Sequence, residues 1–534
     1  MVDMLENGES NIEMTELLQQ LQRASIALGT ALEPEGVERL LLEELRLLCN
    51  AELAVLLQPV TPQCWRSTLF LADTSLSPSA LSLEINWGAK EDRSQRRTAL
   101  EQVLQKPESL CCHDPLRAGE FDFSHLRPFE EGQARQVRSC LLLPLSTHHG
   151  RPEKIVELIR LAKNQDETGF SIDEQQLGSI LAQQASAALE RMHCRQEQGE
   201  FFESLIQLIG SAIDEKSPYA GDHCRHVPVL TMMLARAVSA SRSAAFDTVH
   251  FSEAELYELE VAAWLHDIGK LITPIHISDK ATKLERTFDR FDLVSTRFEI
   301  LRRDIEIEHL RAGEKAGGVE ISTDGHDLQR LSADLSFLAD CNRGHNSLGE
   351  PETRRVSEIA QKYRWIDHQG EVRPVLTEDE VANLMVVHGT LTDEEREMIN
   401  HHVVSTINML DMLPFPKELA RVPEIAGSHH ENYHGQGFPT GESGAQMLIQ
   451  TRILAFADRF ASISTGSRPY KKRNKLSQSL QILREMVDGG QVDPDLYRLF
   501  VAEQLYESYA IEFLSRDQID PVDRTALLAG MAEE

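Results

Sequence analysis

No apolar run in the sequence approaches the roughly 20 residues that a helix needs to cross a bilayer, so neither a membrane span nor a membrane partner is expected. The first residues, MVDMLENGES, are acidic and polar, and lack the basic and apolar parts of a signal or transit peptide. The expected location is therefore the cytoplasm. Basic residues are scarce: 54 Lys and Arg stand against 85 Asp and Glu, a formal net charge of −31. So acidic a surface repels polyanions and argues against broad nucleic-acid binding. Cysteine is sparse as well. The eight thiols form no CxxC pair, and only Cys111 and Cys112 lie side by side. That pattern reads as reduced intracellular thiols, with neither a disulfide scaffold nor a zinc knuckle. P-loop and GxGxxG sequences are absent too.

What is present is ordinary globular composition, 41% apolar and 26% charged over 534 residues, enough for about two to four domains. Residues 13–47 have helical periodicity, with Leu17, Leu18 and Leu21 followed by Val37, Leu40, Leu41 and Leu45. Short apolar stretches with breakers between them come next: AELAVLLQPV, STLFLAD, SLEINW, VRSCLLLPLS and KIVELIRLAK. Their lengths suit strands of one antiparallel sheet. The run FSIDEQQLGSILAQQASAALERM predicts a helix, with Ser171 as N-cap and Glu174 three residues on. Helix, strands and closing helix make one α+β domain.

This order resembles a GAF domain, a sensing module that precedes many bacterial output domains, over residues 13–190. The resemblance implies a pocket that takes a cyclic nucleotide, haem, a bilin or nothing at all, and the residues do not select among these. Cys111, Cys112 and His113 are read either as chromophore or haem contacts or as incidental packing residues. The closing helix continues through 191–215 with apolar Phe201, Phe202, Leu205, Ile206, Leu208, Ile209 and Ile213. It is either a conduit for rotation between sensor and output or a passive spacer.

From about residue 217 onward the pattern is almost wholly helical. Within 284–310, Phe291, Val294, Phe298, Leu301 and Ile305 recur three and four apart, which is coiled-coil spacing. That stripe fits a helix lying on the domain and fits a dimer seam equally. Thr377 with Glu380 and Thr392 with Glu395 have capping-box spacing.

Histidine and aspartate then form a series: His223, His266–Asp267, His402, His429–His430 and Asp458. In VAAWLHDIGK a charged pair closes an apolar helix, which is costly unless something compensates it. A bound cation would do so. Imidazoles with two carboxylates make a mixed N/O set suited to iron, manganese, zinc or nickel, and poorly suited to calcium or magnesium. One aspartate can bridge two cations, and a cation pair about 3.5–4 Å apart polarises a phosphoryl group and generates a nucleophile. Taken singly, each histidine is more often structural than a ligand; the series changes those odds.

The neighbouring residues carry a second resemblance, over about 214–515. KSPYAGDHCRHV, LHDIGK, ISDKATKLE, INHHVVSTINML, HHENYHGQGFP, ILAFADRF, SRPYKK and VDPDLYRLF follow one another in order, as in the HD-GYP subgroup of the HD phosphohydrolases. The fold expected is thus multidomain: a GAF-like α+β domain (13–190) after a tail (1–12), a connecting helix (191–215), and an all-α HD-GYP domain (216–534). An insertion occupies about 284–390.

The resemblance implies cleavage of cyclic di-GMP to pGpG and/or GMP with two divalent metal ions, iron or manganese. His223, His266, Asp267 and Asp458 would hold one metal; Asp267, His402, His429 and His430 would hold the other. Lys270, Arg468 and Lys471 would meet substrate phosphates, with Asp267 and Lys270 as catalytic residues. Glu431 is either a residue that orients a neighbouring histidine or an exposed one. A homodimer and GGDEF-domain partners are also implied.

Three departures stand out. Phe438 replaces the tyrosine of GYP, Tyr219 stands where members with a third metal have glutamate, and Ala461 replaces an acid. The alternatives are a phosphodiesterase for cyclic GMP–AMP or a linear dinucleotide, and a non-catalytic nucleotide- or partner-binding receptor.

Overall fold

A computed structural model describes residues 19–531, apart from 32, 62–63, 73–83, 87–98, 120, 122, 130–135, 148–150, 163–168, 217–222, 316–325, 345–346 and 466–472. The tail 1–12, Tyr219, Arg468 and Lys471 lie outside the described residues. The chain divides into two compact units, Met1–Phe202 and Glu203–Glu534.

In the first unit, helix α1 (Pro34–Leu48) precedes strands β1 (Leu53–Thr61), β2 (Cys64–Ala72) and β3 (Glu84–Asn86). Helix α2 (Ala99–Gln105) and strands β4 (Leu110–His113), β5 (Gln136–Thr147) and β6 (Arg151–Ala162) follow. The strands form one antiparallel sheet of order β3-β2-β1-β6-β5-β4. Side-chain alternation along a strand gives this sheet two apolar faces. Ala54, Leu56, Leu141, Leu143, Val156 and Leu158 pack on one side with Leu41 and Leu45 of α1 and with Leu181 and Ala185 of helix α3 (Ile172–Lys216). Leu53, Val55, Leu142, Ile155 and Ile159 pack on the other, under Leu100 and Val103 of α2.

Strand β4 is not among the five expected from the apolar stretches. LCCH is too short to show a period, and its pairing with β5 makes it a strand. Cys111 packs against the first face and Cys112 against the second, so both are packing residues. The expected α3 start is present: Ser171 and Glu174 exchange the two hydrogen bonds of a capping box, at 2.7 and 3.2 Å. The helix then runs unbroken to Lys216.

The second unit contains α4 (His223–Ala240), α5 (Glu253–Leu265), α6 (Phe291–Lys315), α7 (His326–Asn342), α8 (Glu350–Lys362), α9 (Glu378–Leu384) and α10 (Asp393–Asp411). After these come α11 (Val422–Gly427), α12 (Ile449–Thr465), α13 (Leu476–Asp488), α14 (Pro494–Ala502) and α15 (Leu505–Phe513). Both expected capping boxes form, at Thr377 and Thr392. The all-α expectation needs one correction. Arg364–Ile366 and Val372–Pro374 pair as a small antiparallel ribbon. Asp367 accepts backbone N–H bonds from Gln369 and Glu371, and Gly370 takes φ +82°, so IDHQGEV makes a hairpin turn.

Residues 284–384 close an apolar core of their own. Val294, Phe298 and Leu301 of α6 are buried in it with Leu331 and Leu338 of α7, and Phe291 and Ile305 pack against it. The stripe with coiled-coil spacing is therefore covered by its own segment and is not a free dimer seam. Elsewhere α12 packs on α4, α10 packs on a 3₁₀ turn at Ile268–Leu271, and α11 touches α5, α10 and α12. Those contacts bring the ends of several helices to one place.

Candidate metal centre

His266 caps the C-terminus of α5, and Asp267 begins the turn that leaves it. His402 lies inside α10, His429 and His430 follow α11, Asp458 is on α12, and His223 opens α4. Three of the imidazoles are oriented in the same way. The Nδ1–H of His266 donates to Ala263 O at 2.7 Å, that of His402 to Ile399 O at 2.6 Å, and that of His429 to Ala426 O at 2.6 Å. Each ring thus uses the backbone carbonyl three residues earlier. The tautomer this selects leaves a lone pair on each Nε2, the arrangement that suits a metal ligand.

Those Nε2 atoms converge on Asp267. Its Oδ2 lies 3.3 Å from His266 Nε2 and 3.9 Å from His223 Nε2, whereas its Oδ1 lies 3.4 Å from His402 Nε2 and 3.9 Å from His429 Nε2. Asp458 Oδ1 joins the first side, 3.0 Å from His223 Nε2 and 3.7 Å from His266 Nε2. Two groups of side chains that could hold a metal ion result: His223, His266 and Asp267, and His402, His429 and His430. The six histidine and carboxylate positions of these groups and Asp458 are all brought together.

His266, Asp267 and His429 are at most 1% exposed. His266 Nε2, His402 Nε2, His429 Nε2 and Asp267 Oδ1 are buried without a hydrogen-bond partner. Leaving one such group unsatisfied costs about 1–3 kcal/mol, so four in one pocket are a standing cost that divalent cations would offset. The donor set, nitrogen with carboxylate oxygen, fits iron, manganese or zinc better than calcium or magnesium.

The electrostatics agree. Burial would raise Asp267, but the Lys270 ammonium and His266 overcome it and hold the carboxyl well below its usual range. Asp458 is likewise held low, burial being outweighed by the hydrogen bond from His223 and by the nearby His266 ring. Burial pulls His430 down to about 3, and drives His429 well below the ordinary imidazole value, with His430 adding to the effect. His266 goes the other way: burial lowers it, but Asp267 and Asp458 outweigh burial and raise it to about 10, so a cation bound there would displace a proton from its Nε2. Lys270, raised by Asp267 and Asp458 against the effect of burial, donates to Asp267 Oδ2 at 2.5 Å. Its side chain remains 38% exposed, so it bridges the carboxylate and solvent.

Supporting residues escaped the sequence reading. Thr406 Oγ1 accepts from Gly269 N–H at 3.0 Å and donates to His266 O at 3.1 Å, which ties α10 to the turn after His266. It lies one turn beyond His402 on the same helix, and that spacing was the available signal. Gly269 allows this approach, because a Cβ there would lie 2.0 Å from His402 O. Arg459 donates to Glu431 O at 2.6 Å and Asn432 Oδ1 at 3.0 Å.

Glu431 fits neither expected role. It is buried, and its Oε1 accepts from Thr440 N–H, Thr440 Oγ1–H and Gly441 N–H at 2.7, 2.9 and 3.0 Å, so it fastens the loop that follows the histidine pair. In that loop Gly437 is pressed against Glu431 and Asn432 backbone, Phe438 stacks on His430, and the Phe438–Pro439 peptide is cis. His401 and His434 are exposed and lie outside both groups. Ala461 is fully buried in α12.

Residues 378–496 match the HD domain family. The chain's curated relatives include 3'3'-cGAMP-specific phosphodiesterase 1 of Vibrio cholerae, 33% identical over 121 residues, 22% of this chain and 27% of that protein. Cyclic di-GMP phosphodiesterase PA4108 of Pseudomonas aeruginosa is 32% identical over 113 residues, 21% of this chain and 26% of that protein. A cyclic di-GMP phosphodiesterase of Thermotoga maritima is 30% identical over 118 residues, 22% of this chain and 31% of that protein. The matched part thus spans about a quarter to a third of the length of these relatives. Among solved structures, the GAF domain/HD domain protein from Geobacter sulfurreducens is 16% identical, with 31% of this chain and 96% of that chain covered at TM-score 0.24. The GAF domain of a phosphoenolpyruvate-protein phosphotransferase from Coxiella burnetii is 15% identical, with 34% and 96% covered at TM-score 0.26. No described helix is long and apolar enough to cross a membrane.

Proposed function

We propose that the second unit is a metal-dependent phosphodiesterase that cleaves cyclic di-GMP to pGpG and/or GMP. The observation that carries this reading is the convergence of four unsatisfied buried atoms, His266 Nε2, His402 Nε2, His429 Nε2 and Asp267 Oδ1. His223, His266, Asp267 and Asp458 would hold one divalent ion and Asp267, His402, His429 and His430 the other, with iron or manganese as the ions. Bound there, such a pair polarises a phosphoryl group and activates water.

The chain's own residues do the rest. The Ala263, Ile399 and Ala426 carbonyls keep three imidazoles in the Nδ1–H tautomer, with each Nε2 lone pair turned to the site. The Lys270 ammonium, poised on Asp267 at the solvent boundary, neutralises charge that develops on a phosphate oxygen. Arg468 and Lys471 are assigned to the substrate phosphates. Phe438, stacked on His430, forms part of the pocket rim. A cation such as Lys270 beside the site suits a dianionic substrate on a chain that is otherwise strongly acidic. The first unit is assigned to sensing, with a ligand acting through α3, in a cytoplasmic homodimer that meets GGDEF-domain proteins.

A second reading has its own support: two relatives are named as 3'3'-cGAMP-specific phosphodiesterases. Cyclic GMP–AMP offers the same phosphodiester and one different base.

The deciding experiment is anaerobic purification with metal analysis, followed by turnover of both cyclic dinucleotides by the wild type and by Asp267→Ala. Two metals per chain, with turnover lost in the variant, support the reading. A chain that takes up no metal sinks it, and nucleotide binding without hydrolysis makes the protein a receptor.

A further inference from the structure

The last turn of α3 ends against both edges of the first ligand group. Lys216 Nζ donates to three backbone carbonyls, Lys270 O at 2.7 Å, Leu271 O at 2.7 Å and Thr273 O at 2.6 Å. These carbonyls lie at the end of the short turn that begins at Asp267, where a helical segment carries partial negative charge and a cation is favoured. Two residues earlier, both carboxylate oxygens of Asp214 accept from Cys224 N–H, at 3.2 and 3.1 Å. Cys224 is the second residue of α4, and His223 is the first. Asp214 therefore caps, from another helix, the helix start that presents His223.

The fit is close along the same face. A Cβ on Gly210 would lie 3.0 Å from the Trp264 ring, two residues before His266, and Ile206 and Ile213 of that helix are buried.

We propose that Asp214 and Lys216 are positioning residues that set the spacing of His223 against His266 and Asp267. The inference rests on the metal-centre reading above and adds the element that adjusts it. Movement of this one turn, along or around the helix axis, displaces the start of α4 and the end of the Asp267 turn together. Among the hydrogen bonds of the described residues, the group formed by His402, His429 and His430 has none to this last turn of α3 and is reached only indirectly, through Asp267 and the Thr406 bridge, so the two halves of the centre respond unequally.

The test uses the full chain, stripped of metal and titrated with Mn²⁺ alone by calorimetry, with metal-free melting measured alongside. The variants are Lys216→Met and Asp214→Ala, with Lys216→Arg and Asp214→Asn as conservative partners that keep the donors or the acceptor. The wild type should show two binding steps. Lys216→Met and Asp214→Ala should weaken one step by about tenfold or more and the other by clearly less, and the conservative pair should regain most of the loss. Affinities that match the wild type, or that fall equally at both steps, overturn the inference while the metal centre stands. Loss that follows the metal-free melting temperature without rescue assigns the two residues to packing alone and also overturns it. A wild type that binds no Mn²⁺ removes the metal-centre reading, and the inference with it.

Discussion

His430 and Phe438 stack with ring centroids 4.9 Å apart and planes inclined by 23°. The ring, and not a hydroxyl, makes this contact, so Phe438→Tyr should leave turnover within about threefold of the wild type. Phe438→Ala removes a contact worth about 0.5–1.5 kcal/mol and should weaken metal binding by roughly two- to tenfold. Side-by-side kinetics and Mn²⁺ titration check both. A rise of orders of magnitude in Phe438→Tyr would show that the hydroxyl matters.

Chelation should lower the melting temperature as well as abolish turnover, because a ligand held by the folded state alone stabilises by about 2.7 kcal/mol at a hundredfold excess over Kd. Mn²⁺ or Fe²⁺ should restore both properties, and Ca²⁺ should restore neither. Asp267→Ala should melt at the same temperature with and without Mn²⁺, since Asp267 faces both groups.

Gly269→Ala places a methyl group 2.0 Å from His402 O and 2.7 Å from Thr406 N. Neither backbone atom can yield without moving α10, so denaturant unfolding should show a loss of about 1–3 kcal/mol or more. Gly199→Ala is the control. It lies within α3 with nothing inside 4 Å of the added atom and should stabilise by up to about 1 kcal/mol.

Thr406→Val keeps shape and removes the hydroxyl that joins Gly269 N–H to His266 O. The buried amide is then left without a partner, which costs about 1–3 kcal/mol. Thr406→Ser should retain most of the stability. Equal melting of the valine and serine variants would remove the bridge from consideration.

Lys283 is fully buried, with its ammonium donating to Leu384 O at 3.1 Å and Val386 O at 2.7 Å. Burial pulls this amine from 10.5 down to about 8. Between those values the unfolded chain holds a proton that the folded chain has released, so this residue's contribution to stability rises with pH across the window. Melting of the wild type against Lys283→Met should shift in favour of the wild type from pH 8 to 10.5. A constant difference, or the reverse drift, would contradict this.

The ligand series was readable because its chemistry is carried by residue types at fixed positions. His223, His266, Asp267, His402, His429, His430 and Asp458 lie close together in the folded chain. The supports were not readable, because they run through the backbone. No residue type announces that Ile399 O holds His402, or that Glu431 bonds to Thr440 and Gly441 in place of a histidine. The strand at Leu110–His113 was missed for a related reason: its pairing partner lies elsewhere in the chain, and four residues show no period. The stripe through Val294, Phe298 and Leu301 showed that a face is buried without showing what buries it.

The three imidazole-to-carbonyl bonds at His266, His402 and His429 have a consequence for the entropy of binding. A side chain that must be immobilised when its ligand arrives gives up about 0.5–1.5 kcal/mol in rotational freedom. These rings have surrendered that freedom during folding, to carbonyls of their own helices. An ion arriving at the proposed centre would therefore meet side chains that are already still, and the ordering cost that would otherwise oppose its binding has been met when the chain folded.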